Sequence, residues 1–220
     1  MDVLATQMPR FLQAIWLTIW LFALIATVST LLGLVLALFV NGPRGRRALS
    51  VYTWIFRGLP ELVVLLFCFL ALPRIGIDLG AIGSAFLAFV LIGTAFHAEI
   101  FRAGLAAIDP RLIETSRSLG MGRMLMLRRV IIPQLARISV TPWATFLAGN
   151  VKMLSLASAV SVGEVMMVTR QSLAISSDPM TLILFAGAVY AAMASVVMVA
   201  ELLLSGLMRR RYGPINGGMT

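Results

Sequence analysis

Six ionisable side chains fall inside or beside long apolar stretches: Arg57, Glu61, Glu99, Arg102, Lys152 and Glu164. A charge at membrane depth is costly, so each of them marks either a structural pair or a contact with a passing solute. The chemistry open to them is pairing and not bond cleavage. There is one histidine, His97, and one cysteine, Cys68, with no C-x-x-C or H-E-x-x-H spacing. A metal site built by this chain is therefore not expected, and no catalytic residue is assigned. Lys152, the only lysine, follows Val151 and precedes Met153. It does not close a glycine-rich phosphate loop, so nucleotide hydrolysis is not expected of this chain.

The spacing of these groups narrows their roles. Glu99 and Arg102 are three residues apart, neighbours on one helix face, and are expected to form a structural ion pair. Arg57 and Glu61 are four apart, but Pro60 lies between them. They either pair across a disturbed helix or leave Arg57 to snorkel towards an interface. Lys152 lies about 14 residues after Ile138, with Asn150 two positions earlier. At that depth it meets either a solute carboxylate or a carboxylate of a neighbouring subunit. Arg57, Glu61, Asn150, Lys152, Met153, Ser155 and Glu164 are thus the candidates for a solute pathway.

The elements that must position these groups are membrane spans. The chain is 60% hydrophobic and 12% charged, against about 25% charged in a soluble domain. Residues 11–40 hold no charge at all, and roughly 20 apolar residues suffice to cross a bilayer. Residues 1–7 are not basic, and the run after them is too long for a signal h-region, so it is expected to remain as a span. Five spans are predicted, at about 11–39, 51–72, 79–101, 138–156 and 180–208, in one transmembrane domain covering 1–220. Residues 157–178 carry Glu164, Arg170 and Asp178 and read as a short helix tucked into the mouth of the bundle or a surface loop.

The net charge of +9 comes from 18 Lys+Arg against 9 Asp+Glu. Most of the arginines cluster between apolar runs. Arg44, Arg46, Arg47, Arg111, Arg117, Arg123, Arg128, Arg129, Arg209, Arg210 and Arg211 fall on one side of a five-span topology. Arg10, Arg74 and Arg170 fall on the other. The positive-inside rule makes the first side cytoplasmic, with the N-terminus outside and the C-terminus inside. These charges then orient the chain in lipid, and no nucleic-acid partner is expected.

The loop 109–133 carries its own start and stop signals. Asp109 is suited to N-cap a helix and Pro110 to sit at its first position. Gly120 is suited to end it in the left-handed conformation. The bracketed helix has about nine residues, too short to persist in water without packing. Arg111, Glu114 and Arg117 recur every three positions on one face. Residues 122–132 read as a basic amphipathic segment lying at the membrane surface, ended by Pro133.

The pattern Glu114, Thr115, Ser116, Gly120, then Val130, Ile131, Ile132 and Pro133, resembles the EAA loop of binding-protein-dependent ABC import permeases. Thr115 and Ser116 stand where that motif has two alanines. Arg57-Gly-Leu-Pro60 is similar to the R-G-T-P segment of polar amino-acid permeases. Ala98-Glu99-Ile-Phe-Arg102 with Gly104, and Ser155-Leu-Ala-Ser158, also resemble segments of that group.

The resemblance implies an all-α integral membrane bundle of five helices with a cytoplasmic coupling helix, a MetI-like type I importer permease in a bacterial inner membrane. It implies that Arg111, Glu114, Thr115, Ser116, Arg117, Gly120 and Pro133 serve coupling to an ATPase. The implied partners are two cytoplasmic ABC ATPase subunits, a second permease chain, identical or homologous, and an external solute-binding protein. The implied solute is a polar amino acid or a relative of one. This chain would carry no cofactor, with ATP and Mg bound by the partner ATPase. One departure stands out: the family has a polar pair after the lysine, where this chain has Met153 and Leu154. A stand-alone secondary transporter or channel, and a non-transporting membrane anchor, are the alternatives.

Overall fold

A computed structural model describes residues 3–40 and 42–212, and among them every regular element is helical. Asn41, at the start of the first expected connection, lies outside the described residues. In chain order the helices are α1 (Val3–Phe39), α2 (Pro43–Gly58), α3 (Glu61–Leu66) and α4 (Gly80–Ala106), then α5 (Pro110–Ser118) and α6 (Arg123–Met126). They are followed by α7 (Ile132–Met153), α8 (Val165–Leu173) and α9 (Pro179–Tyr212). Four helical runs are long and apolar enough to span a membrane: Val3–Phe39, Gly80–Ala106, Arg123–Val160 and Pro179–Met208. A bent pair, Pro43–Gly58 with Glu61–Ile75, makes a fifth if counted as one span.

That bent pair occupies the span expected over 51–72, with the disturbance at Pro60. The two arms meet at 102°. Pro60 supplies no N–H, and its ring disfavours helical backbone at the preceding residue. Leu59 accordingly sits at φ −82°, ψ 141°. Two other prolines are absorbed differently. A π turn over Phe67–Ala71 ends two residues before Pro73, and another over Leu127–Ile131 ends two residues before Pro133. Widening the turn ahead of a proline relieves the crowding of its ring against the carbonyl four residues back. Residues 122–132 therefore do not form a separate segment stopped at Pro133. They enter the fourth span as one helical run, with Pro133 at its second α7 position.

The bundle is organised around α4, most of whose span is buried, whereas α1 and α9 keep most of theirs exposed. α1 buries one stripe, Phe11, Ala14, Thr18, Leu21, Ile25, Ser29 and Gly33, at steps of three or four residues. At Gly33 the approach to α4 is so close that a Cβ would stand 2.5 Å from the His97 Cβ. At the far end of α4, a Cβ on Gly104 would stand 2.3 Å from the Ser139 Oγ of α7. Small residues at such crossings let membrane helices pack backbone to backbone. Trp143 of α7 donates from Nε1 to Thr30 Oγ1 of α1 at 3.0 Å. The outward faces are apolar instead of polar, with Trp16 at 69% and Trp54 at 79% exposure, as lipid contact requires.

Candidate docking loop and the charged groups of the spans

The loop helix α5 is built from its two ends. The Asp109 carboxylate accepts from the Arg111 N–H at 2.9 Å, with Pro110 in the first turn. At the other end the Gly120 N–H donates to the Arg117 carbonyl at 2.9 Å and the Met121 N–H to the Ser116 carbonyl at 3.1 Å. Gly120 has φ +73°. This pair of bonds with a left-handed residue is the Schellman arrangement, which glycine enters without Cβ strain.

Only Ser116 of α5 is buried, its hydroxyl returned to the Leu112 carbonyl at 2.6 Å. Arg111, Glu114, Thr115 and Arg117 are all exposed. So are apolar side chains beside them: Leu112 at 41%, Leu119 at 71%, Met124 at 71% and Leu125 at 43%. The loop thus presents charge and bare hydrocarbon together, on a helix too short to be stable without cover. Its two ends lead into α4 and the α6–α7 run, the pair joined tightly at Gly104 and Ser139.

Within the spans, Arg102 Nη1 lies 3.0 Å from Glu99 Oε1, and the Thr53 hydroxyl donates to the same oxygen at 2.9 Å. Arg57 and Glu61 form no ion pair among the described residues. The Arg57 guanidinium instead lies over the Phe96 ring, 5.3 Å from its centroid. Glu61 opens α3, where the helix N-terminus favours a carboxylate. Arg57, Phe96, Glu99 and Ser139 line one open cavity of about 410 Å³.

Asn150 is buried with its Oδ1 unpartnered, beside a small void lined also by Phe22, Phe89 and Met153. Lys152 is exposed in the last turn of α7, and the Ser155 hydroxyl donates to its carbonyl at 2.7 Å. Met153 packs against the core of the bundle. Asn150 and Lys152 thus point to different surroundings, and neither lines the cavity beside Arg57.

Glu164, one of the pathway candidates, has a structural position of its own. It is fully buried, and its carboxylate accepts from the N–H groups of Met166 at 2.9 Å and Met167 at 2.8 Å, and from the Tyr190 hydroxyl. It is the N-cap of α8. Burial pushes its carboxyl above the usual range, and the three donors act against that rise. The segment 157–178 is accordingly a short helix wedged between α1 and α9. Val165 joins Phe11 and Leu182 in one core, the Val165 N–H donates to Thr18 Oγ1 at 3.3 Å, and Arg10 donates to Gln171.

Thr53, Phe96, Ser139, Thr18 and Tyr190 are not among the residues that the sequence singles out. Thr18 and Tyr190 carry polar atoms inside otherwise apolar runs, which is their one signal in the sequence. His97 is also buried, set between Phe101 and Phe146 with both ring nitrogens unpartnered.

A family described as binding-protein-dependent transport system inner membrane component matches residues 29–211. The probable amino-acid ABC transporter permease protein YckA of Bacillus subtilis is 31% identical over 82% of this chain and 83% of that protein. The glutamate transport system permease protein GluC of Corynebacterium efficiens is 32% identical over 75% of this chain and 78% of its own. Among solved structures, a chain of an amino acid ABC transporter crystallised with histidines aligns at a TM-score of 0.82 and 27% identity. That alignment covers 96% of this chain and 99% of the other.

Proposed function

From the premise that this chain belongs to the family of binding-protein-dependent transport system inner membrane components, we propose that it carries a polar amino acid or a close chemical relative across the membrane. The chain is a multi-pass permease subunit of an ATP-driven importer, and ATP hydrolysis falls to separate ATPase subunits. Likeness to YckA and GluC along most of the chain supports the solute class. The assembly we infer has two ATPase subunits with their ATP and Mg, a second permease chain, and a solute-binding protein outside. The arginine distribution supports a cytoplasmic side that holds α5 and the C-terminus, with the N-terminus outside.

The observation that carries the mechanism is the exposed, doubly capped α5. Its bare apolar side chains, with Glu114, Arg111 and Arg117, fit a groove on an ATPase. Closure of the ATPase pair would move α5 as a unit, because both of its ends are hydrogen-bonded. The movement passes to α4 and α7, which the Gly104–Ser139 contact holds together. The test is reconstitution of this chain with its ATPase, second permease and binding protein in proteoliposomes. ATP-dependent amino-acid uptake is expected. Uptake by this chain alone, with no ATPase present, would defeat the proposal.

A further inference from the structure

The cavity beside Arg57 faces two opposite charges that do not neutralise each other. It lies between the end of α2, the α5-side half of α4 and the first half of α7, and measures about 410 Å³. That is within the range of roughly 300–1,000 Å³ typical of small-molecule pockets. The Phe96 ring that holds the Arg57 guanidinium is itself stacked on Phe146 at 4.5 Å. Aromatic contact orients the guanidinium but leaves its N–H donors unused. Glu99 takes both the Thr53 and Arg102 bonds on Oε1, and its Oε2 has no partner among the described residues. Ser139, 2% exposed, lines the same cavity with its carbon atoms, its hydroxyl oxygen being enclosed against Gly104.

An exposed guanidinium with unused donors and a free carboxylate oxygen thus share one open cavity within the spans, where ionisable groups mark solute contacts. We propose that the occupant is an α-amino-acid zwitterion and that the cavity is a station on its route. Arg57 receives the carboxylate in a forked, charge-assisted pair. Glu99 Oε2 receives the ammonium. Glu99 lies seven residues before the end of α4 at Ala106, about 10 Å along the helix axis. The station therefore sits on the α5 side of the spans, after the solute has left its external carrier. This inference rests on the amino-acid reading above.

The test uses the assembled transporter in proteoliposomes. Cys68, which is buried, is replaced by serine to clear the background, and Ala103→Cys places a reporter thiol on the cavity wall. Modification by a water-soluble methanethiosulfonate is timed with L-glutamine, L-glutamate or L-arginine, and with the carboxamide of each. At least one free amino acid is expected to slow modification about tenfold while its carboxamide does not, since the lost carboxylate pair is worth that factor. Arg57→Gln should abolish the protection and Arg57→Lys should keep part of it. Should Arg57→Gln not assemble, Phe96→Leu, which frees the guanidinium, should weaken protection instead. A thiol that never reacts overturns the station, because the cavity is then filled by another chain or lipid. So does equal protection by amino acids and carboxamides, or protection that survives Arg57→Gln. ATP-driven uptake of the same panel separates the two readings. Uptake without protection rejects the station alone, whereas uptake of no amino acid rejects the solute class as well.

Discussion

Two nine-residue helices, α5 and α8, each begin on an acidic N-cap and end in opposite surroundings. Asp109 opens α5 and Glu164 opens α8. α5 buries Ser116 alone, while α8 buries Val165, Val168, Thr169 and Ser172. Neither length is stable in isolation. α8 draws its stability from α1 and α9 within the chain. α5 has local caps and exposed hydrocarbon, and its remaining stabilisation must come from outside. The difference separates an element that holds the bundle together from one that reports to a partner.

The largest effect expected on this contrast is at Glu164. Glu164→Ala leaves two helix N–H groups and the Tyr190 hydroxyl without their acceptor in the packed region between α1 and α9. Unsatisfied buried donors cost about 1–3 kcal/mol each, so a loss of about 3 kcal/mol or more is expected. Thermal unfolding of the purified protein in detergent measures it. Glu164→Gln, which keeps an acceptor oxygen, should lose less. An unchanged melting temperature in Glu164→Ala would remove α8 from its structural role.

Gly120→Val comes next. A β-branched residue at φ +73° costs about 1–2 kcal/mol, and the strain falls on the α5 terminus alone. The bundle should melt nearly as before. ATPase activity stimulated by the loaded binding protein should drop several-fold in the reconstituted complex. Normal stimulation would mean that the turn is not part of the coupling surface. Asp109→Ala is milder, about 1 kcal/mol for the lost cap. It is expected to accelerate amide hydrogen exchange at residues 111–113 while leaving α8 unaffected.

The same contrast explains what was legible in the sequence. Caps are local: Asp109, Pro110 and Gly120 announce α5 within a dozen positions, and the structure places their hydrogen bonds as expected. Apolar runs likewise announce α1, α4 and α9, because length and composition decide a span. The sequence leaves the role of Glu164 open, because an acid among apolar residues looks the same whether it waits for a solute or caps a helix. The difference lies in Tyr190, 26 positions away, which no local pattern connects to it. Pro60 marked a disturbance, but not whether the helix would kink slightly or turn through 102°. The Arg57–Phe96 contact and the approach of Gly104 to Ser139 depend on how separate helices cross, and the chain carries no periodic signal for that.

The smallest stability effect carries the sharpest information about α5. Leu119 is 71% exposed, so Leu119→Ser removes almost no burial within the chain. Substitutions at such sites usually stay within about 0.5 kcal/mol, and melting of the purified permease should not move. If α5 docks on an ATPase, the same side chain is buried in the complex. Covering a leucine contributes about 1.5–3 kcal/mol relative to leaving it exposed. Truncation to serine should then weaken ATPase binding by roughly tenfold or more, measured by titrating the ATPase against the permease in nanodiscs. An equivalent change on α8, Val168→Ser, should give the reverse pattern, with lower stability and unchanged ATPase affinity. Equal affinity for the wild-type and Leu119→Ser proteins would leave the exposed hydrocarbon of α5 without a partner and would return the two helices to the same class.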